Sequence, residues 1–181
     1  MANEISARYA QGLFELAEEN GTVEEKKGYC ELLLEVFEQN TDISLIFRAV
    51  KISKIEKKEF IEKSFASYVD HDMISFLKLI IDKGRSFYLK EILEDYVKLA
   101  NEKLGIELGT VVSARALSAE DMKRIQDALS GSSGHTVILK NKIDPSVIAG
   151  IKIIVGNKVT DITTKTRIED MRNVLLKGGQ A

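Results

Sequence analysis

Side chains able to do acid, base, nucleophilic or metal chemistry are few and scattered. His71 stands beside Asp72, the pairing of a general base with its orienting carboxylate. Neighbours in sequence point apart on a helix, and no motif places a serine or cysteine to be activated, so an ordinary interhelix turn is expected there. Cys30 lies in the apolar helical run Tyr29-Cys-Glu-Leu-Leu-Leu34, where a thiol packs as a small hydrophobe. One cysteine and two histidines (His71, His135) allow no internal disulfide and leave too few soft ligands for a structural zinc site. Gly131-Ser-Ser-Gly134 has bare amides of the kind that cradle an oxyanion. It follows a helix and lacks the Lys-Ser/Thr that completes a phosphate loop, so it reads as a flexible connection. Lys51, Lys54, Lys57, Lys58 and Lys63 alternate with Glu56, Glu59 and Glu62, so their field largely cancels and they read as a solvated helix face. No set of acid, base, nucleophile or metal ligands assembles, and no cofactor is implied.

The elements that position these residues fall into two halves. The chain has 181 residues, 44% apolar and 30% charged, as in a soluble globular protein. Its 26 basic and 28 acidic side chains give a net charge of −2, which argues against a general polyanion binder. No apolar run is long enough to cross a membrane, and Glu4, Arg8 and Glu15 interrupt the opening segment where a signal peptide needs an apolar stretch. Residues 1–104 carry 15 basic and 20 acidic side chains and residues 105–181 carry 11 and 8, which suggests a boundary near Gly105.

Before Gly105 the apolar spacing is helical throughout, with six helices expected at 3–19, 23–39, 42–50, 54–68, 72–83 and 86–104. Thr22-Val-Glu-Glu25 and Ser53-Lys-Ile-Glu56 have capping-box spacing. Asn20-Gly21, Asn40, Gly84 and Gly105 supply residues that tolerate the left-handed backbone just past a helix end. In the sixth helix Leu89, Ile92, Leu93, Tyr96, Val97, Ala100 and Leu104 form one stripe for a core. After Gly105 the period changes: 106–113, 136–143, 151–155 and 158–162 read as strands, with a helix opening at Ser118 and a hairpin turn at Gly156-Asn157. A last helix is expected over 165–177. The fold class is therefore mostly α, an N-terminal six-helix bundle (1–104) followed by a small α+β domain (105–181).

The first helix resists a purely structural reading. On a helical wheel Ala7, Ala10, Phe14 and Ala17 share one side, while Ile5, Tyr9, Gly12, Leu13 and Leu16 cover an adjoining sector. A surface helix needs a single stripe somewhat over 100° wide, and this one covers nearly twice that. Either part of the sector stays exposed for a partner, or the helix is buried deep in the bundle. Gly12 in mid-helix costs about 1 kcal/mol relative to alanine, which is easier to understand if another backbone approaches there.

Ala7-Arg-Tyr-Ala10 and Leu13-Phe-Glu-Leu-Ala17 resemble the opening of the delta subunit family of the F-type ATP synthase, whose mitochondrial member is the oligomycin sensitivity-conferring protein. Gly84-Arg85, Tyr96 with Leu99, Asn101-Glu102, Val112-Ser-Ala114 with Leu117-Ser118, Ile143-Asp-Pro-Ser-Val-Ile-Ala-Gly150, Gly156, Asp161, Arg167, Met171 and Leu175 follow in the family's order. The chain departs from the family pattern at Ala149-Gly150, where two glycines are usual, and at Ile162-Thr163, where a small residue and serine are usual.

The resemblance implies a non-catalytic stator subunit that couples proton transport to ATP synthesis performed elsewhere. The helical domain would hold the N-terminal helix of an alpha subunit of the catalytic head in a groove between the first and fifth helices. Carried onto this chain, that groove is Tyr9, Gly12 and Leu16 with Phe76, Leu79, Ile80 and Lys83, and helix-in-groove recognition draws its affinity from such apolar anchors. The second domain would meet the C-terminal helices of the b subunit. The start at Met1 without a transit peptide resembles a bacterial version, peripheral at the cytoplasmic face of the plasma membrane, with no nucleic acid bound and no membrane insertion. The competing reading is an unrelated helical adaptor for some other amphipathic helix.

Overall fold

The computed structural model describes residues 2–49, 51–164, 166, 168 and 172. Its contacts divide the chain into two compact units, Met1–Leu104 and Gly105–Ala181. The fold is mostly helical with a small mixed four-stranded sheet, and seven α-helices stand among the described residues.

In the first unit α1 (Ala2–Glu19), α2 (Val23–Gln39), α3 (Thr41–Arg48), α4 (Lys54–Phe65) and α5 (His71–Asp82) precede a 3-10 turn (Ser86–Tyr88) and α6 (Leu89–Leu104). The fourth helix thus ends three residues before the expected 68, and the first three residues expected for the sixth wind more tightly. The reading of Thr22 as a capping residue is corrected. Its side chain caps nothing, because its backbone completes the end of α1: Thr22 N–H donates to Ala17 O (2.8 Å) and Gly21 N–H to Glu18 O (3.2 Å), around Gly21 at φ +67°. That leaves Thr22 at φ −111°, ψ 23°, outside the extended conformation that aims a cap hydroxyl at the next turn. Ser53, at φ −66°, ψ 157°, does form its capping box with Glu56. Asn40 ends α2 without a left-handed turn, its backbone and side-chain N–H groups both donating to Val36 O.

The helix α6 is the spine of this unit, with α1 and α2 packed along it. Leu89, Ile92, Leu93, Tyr96, Val97 and Ala100 are buried, whereas Leu104 at the helix end is exposed. Tyr96 stacks at a tilt on Phe14 and donates its hydroxyl to Val23 O (3.3 Å). The lysine cluster is not wholly a solvated face. Lys57 is buried, its Nζ donating to Phe47 O (2.9 Å) and Ser86 Oγ (3.3 Å), so it serves the carbonyl end of α3. Lys54 reaches Asp82 O and Lys58 pairs with the Asp82 carboxylate, clamping α4 to α5.

In the second unit β1 (Ile106–Ser113), α7 (Ala119–Ser133), β2 (Thr136–Ile143), β3 (Ile151–Val155) and β4 (Lys158–Asp161) form a sheet in the order β2-β1-β3-β4. The pair β1/β2 is parallel, as a strand-helix-strand crossover requires, and the other pairs are antiparallel. Val111, Val137, Leu139 and Ile153 are buried beneath Met122, Ile125 and Leu129 of α7. Asn141 ties this layer together: Nδ2 donates to Val111 O and Ser113 Oγ, and Oδ1 accepts from Leu117 N–H. The flexible connection expected at 131–134 is also corrected. Gly131 to Ser133 continue α7, and only Gly134, at φ +75°, ends it. Gly150, at φ +90°, is the glycine its turn needs, since a Cβ there would stand 2.3 Å from Ile162 O, while the neighbouring Ala149 is exposed. The helix expected over 165–177 lies mostly outside the described residues, of which 164, 166, 168 and 172 are helical. Among the described residues no helix is long and apolar enough to cross a membrane.

Candidate functional site

The first helix is not buried deep. Its covered stripe is narrow, Ser6, Ala10, Leu13 and Ala17, spaced by three and four residues. Beside it, Ile5 and Tyr9 are half-buried while Gly12 and Leu16 are exposed, Leu16 at 42%. A Cβ built on Gly12 would meet nothing within 4 Å, so the chain itself gives no packing reason for the glycine. The apolar surplus read from the sequence is therefore left open along one flank of α1.

Contacts at both ends hold α5 in the bundle. At one end Lys26, in the first turn after α1 hands over to α2, pairs with Asp70 just before α5 and stands 3.6 Å from Asp72. At the other end Arg85, three residues beyond α5, lines a shallow cavity with Glu4, Ile5, Arg8 and Tyr9. Arg85 is fixed by the turn that ends α5: Gly84 at φ +68°, Gly84 N–H to Ile81 O and Arg85 N–H to Ile80 O. Closest packing occurs elsewhere, α1 on α6 and α5 on α4.

Along α5, Met73, Ile74, Leu77, Ile80 and Ile81 are buried. Phe76 is half-buried, and Leu79 (46%) and Lys83 are exposed on one flank. Six of the seven site residues thus lie on open or half-open flanks of α1 and α5. Ile80 is the correction: at 0% exposure it belongs to the core, because one step beyond Leu79 turns a side chain by about 100°.

Arg8, Lys83 and Arg85 are exposed, with Glu4 beside Arg8 and Arg85, and Asp70 and Asp72 share the buried Lys26. Burial pushes the Asp70 carboxyl up, but the Lys26 ammonium and the Met73 amide outweigh it and hold it below its ordinary value. Asp70 also caps α5 through Oδ1. Asp70 was not singled out from the sequence, and Ile5, Arg8 and Arg85 were named there without being placed among the site residues. The signal for Asp70 was present, an aspartate three residues before the first buried Met73. His71 is exposed in the first turn of α5, and Cys30 is fully buried, its thiol pushed up by desolvation.

The chain matches the family model described as the ATP synthase delta (OSCP) subunit over residues 5–175. It belongs to the ATP synthase delta (OSCP) subunit family. Among curated relatives, the ATP synthase subunit delta of Clostridium perfringens strain SM101 is 32% identical over 173 residues, 96% of this chain and 97% of that one. The ATP synthase subunit delta of Syntrophomonas wolfei is 33% identical over 171 residues, 94% of each. A chain of the Toxoplasma gondii mitochondrial ATP synthase hexamer, solved by cryo-electron microscopy, shares the fold with TM-score 0.70 at 22% identity, covering 94% of this chain and 97% of that one. At the landmark Gly84-Arg85, the glycine turn presents the arginine to the shallow cavity it shares with Glu4, Ile5, Arg8 and Tyr9.

Proposed function

We propose that this chain, by its family a peripheral-stalk component of the F-type ATP synthase, is a static link that makes and breaks no bonds. The first unit, a six-helix bundle, holds the amphipathic N-terminal helix of an alpha subunit in a trough between α1 and α5. Tyr9, Gly12, Leu16, Phe76 and Leu79 supply the apolar contacts, Lys83 the rim, and Ile80 the support from behind. The second unit docks on the C-terminal helices of the b subunit. Held from both sides, the catalytic head cannot turn with the rotor, and proton transport is coupled to ATP synthesis at the cytoplasmic face of a bacterial plasma membrane. The bacterial relatives of matching length support that location.

One observation carries this reading: α1 leaves an apolar flank that its own unit does not cover. A tether under load needs slow dissociation, and nanomolar binding corresponds to about 12 kcal/mol, within reach of a desolvated helix-in-groove contact. Family membership disfavours the unrelated adaptor. The test is deletion of the chain followed by washing of the membranes. Loss of the catalytic head and of ATP-driven proton pumping, both restored by adding the purified chain, is expected. Full retention of the head without it would refute the tethering role.

A further inference from the structure

The sheet of the second unit has two faces, and among the described residues α7 covers one of them. Side chains alternate along a strand, so Val111, Val137, Leu139 and Ile153 point toward α7 and their even-numbered neighbours point away. The register places Ile138 beside Leu108, then Lys140, Thr110, Ile154 and Val159 in one row across all four strands, then Lys142, Val112, Lys152 and Asp161 in the next. Antiparallel sheets that face water on one side usually alternate apolar-in with polar-out. Here five of the ten outward residues just named are aliphatic: Leu108 is 51% exposed, Ile138 39% and Val159 57%, with Val112 and Ile154 half-buried among them. Four strands about 4.8 Å apart span about 14 Å, enough to seat one helix about 10 Å across.

We infer that this face docks an amphipathic helix with an acidic flank, which rests on the reading that the second unit meets the stalk helices and names the surface it uses. Charge selects the occupant. Lys140 and Lys142 are exposed on the edge strand β2, and Lys152 stands opposite Asp161, so the face carries a net positive charge among its aliphatic residues. Two copies meeting face to face would bring their lysines together. A nucleic acid would find no stacking platform, since residues 105–181 contain no Phe, Tyr or Trp.

The experiment uses the full chain and the soluble portion of the b subunit of the same synthase as probe, with calorimetry at low and high salt. Lys140→Glu with Lys142→Glu, both exposed, is expected to weaken binding at least ten-fold and to flatten its salt dependence. Leu108→Ser with Ile138→Ser is expected to weaken it at every salt concentration, with thermal melting as the check on folding. Lys123→Glu, on the exposed side of α7, is expected to change nothing. Wild-type affinity in both double variants would overturn the assignment of the face while leaving the docking reading intact. No binding by the wild-type chain would overturn the two together.

Discussion

Replacing Gly12 by leucine should push stability and partner binding in opposite directions. In the free chain a side chain at position 12 enters open space, since a Cβ meets no atom within 4 Å. Leucine is about as good a helix former as alanine, so the substitution removes a mid-helix glycine penalty of about 0.8 to 1 kcal/mol. For a unit of roughly a hundred residues that is a rise of about 4 to 8 °C in its melting temperature. In the proposed complex the same side chain occupies the space where the partner's backbone lies. Overpacking of about 1 to 3 kcal/mol weakens binding by about 5- to 150-fold. Thermal unfolding by circular dichroism reads the first quantity, and calorimetry with a synthetic peptide of the alpha N-terminal helix reads the second. Gly12→Ala should show the same stabilisation with a smaller binding loss. A Gly12→Leu chain that melts higher and binds as tightly as wild type would refute the trough as the docking site, and one that melts lower would refute the open geometry at Gly12.

Leu16→Asp and Leu79→Asp, at exposed positions, should change stability by less than about 0.5 kcal/mol yet weaken the alpha peptide at least ten-fold, whereas Ile80→Ala should cost about 2 to 5 kcal/mol in urea unfolding as a core cavity. Asp70→Asn removes the charge facing Lys26. Its cost should be about 1 to 3 kcal/mol, below that of a fully buried pair because 33% of the Asp70 side chain is exposed and Asp72 stands close. The Asp70 carboxyl titrates below its ordinary 3.8 in the folded chain, so its contribution is complete above that value and disappears as pH falls through the folded pKa. Urea midpoints of the wild type should therefore drop more steeply in acid than those of Asp70→Asn. Burial lowers the pKa of Lys57, so the folded chain releases this proton before the unfolded chain does, and stability gains from Lys57 as pH rises toward the ordinary 10.5. Lys57→Met should lack that alkaline gain while staying within about 1 kcal/mol of wild type at neutral pH, because Ser86 Oγ still donates to Phe47 O (2.8 Å).

Much of the first unit was legible because helical periodicity is a strong local signal: the buried stripe of α6 follows from apolar spacing, and the α2 boundaries from its end residues. Side-chain capping was less legible, since spacing does not reveal which helix claims a residue. Thr22 and Ser53 share the same pattern, but Thr22 is already committed to the end of α1. The glycine-serine run at 131–134 misled for a related reason. Composition marked a loop, yet Ser130 Oγ accepts from Val137 N–H and Gly134 alone makes the turn, so the helix continues to Ser133. Lys57 was misplaced because charge patterning sees neighbours in sequence, and its partners Phe47 and Ser86 lie 10 and 29 residues away. Of the candidate site, the excess apolar width of α1 was visible in the sequence. The tie at the start of α5 was not, because it is made by Lys26 meeting Asp70 across 44 residues.

The most direct measurement places a single reactive thiol in the trough of the assembled synthase. Leu16→Cys is exposed on the open flank of α1, Glu15→Cys lies about 100° away on the polar arc, and the native Cys30 is buried and held protonated. With a short thiol-directed cross-linker, Leu16→Cys should capture the N-terminal segment of one alpha subunit and Glu15→Cys should not. Capture from both positions alike, or from neither while the head stays bound, would contradict the account.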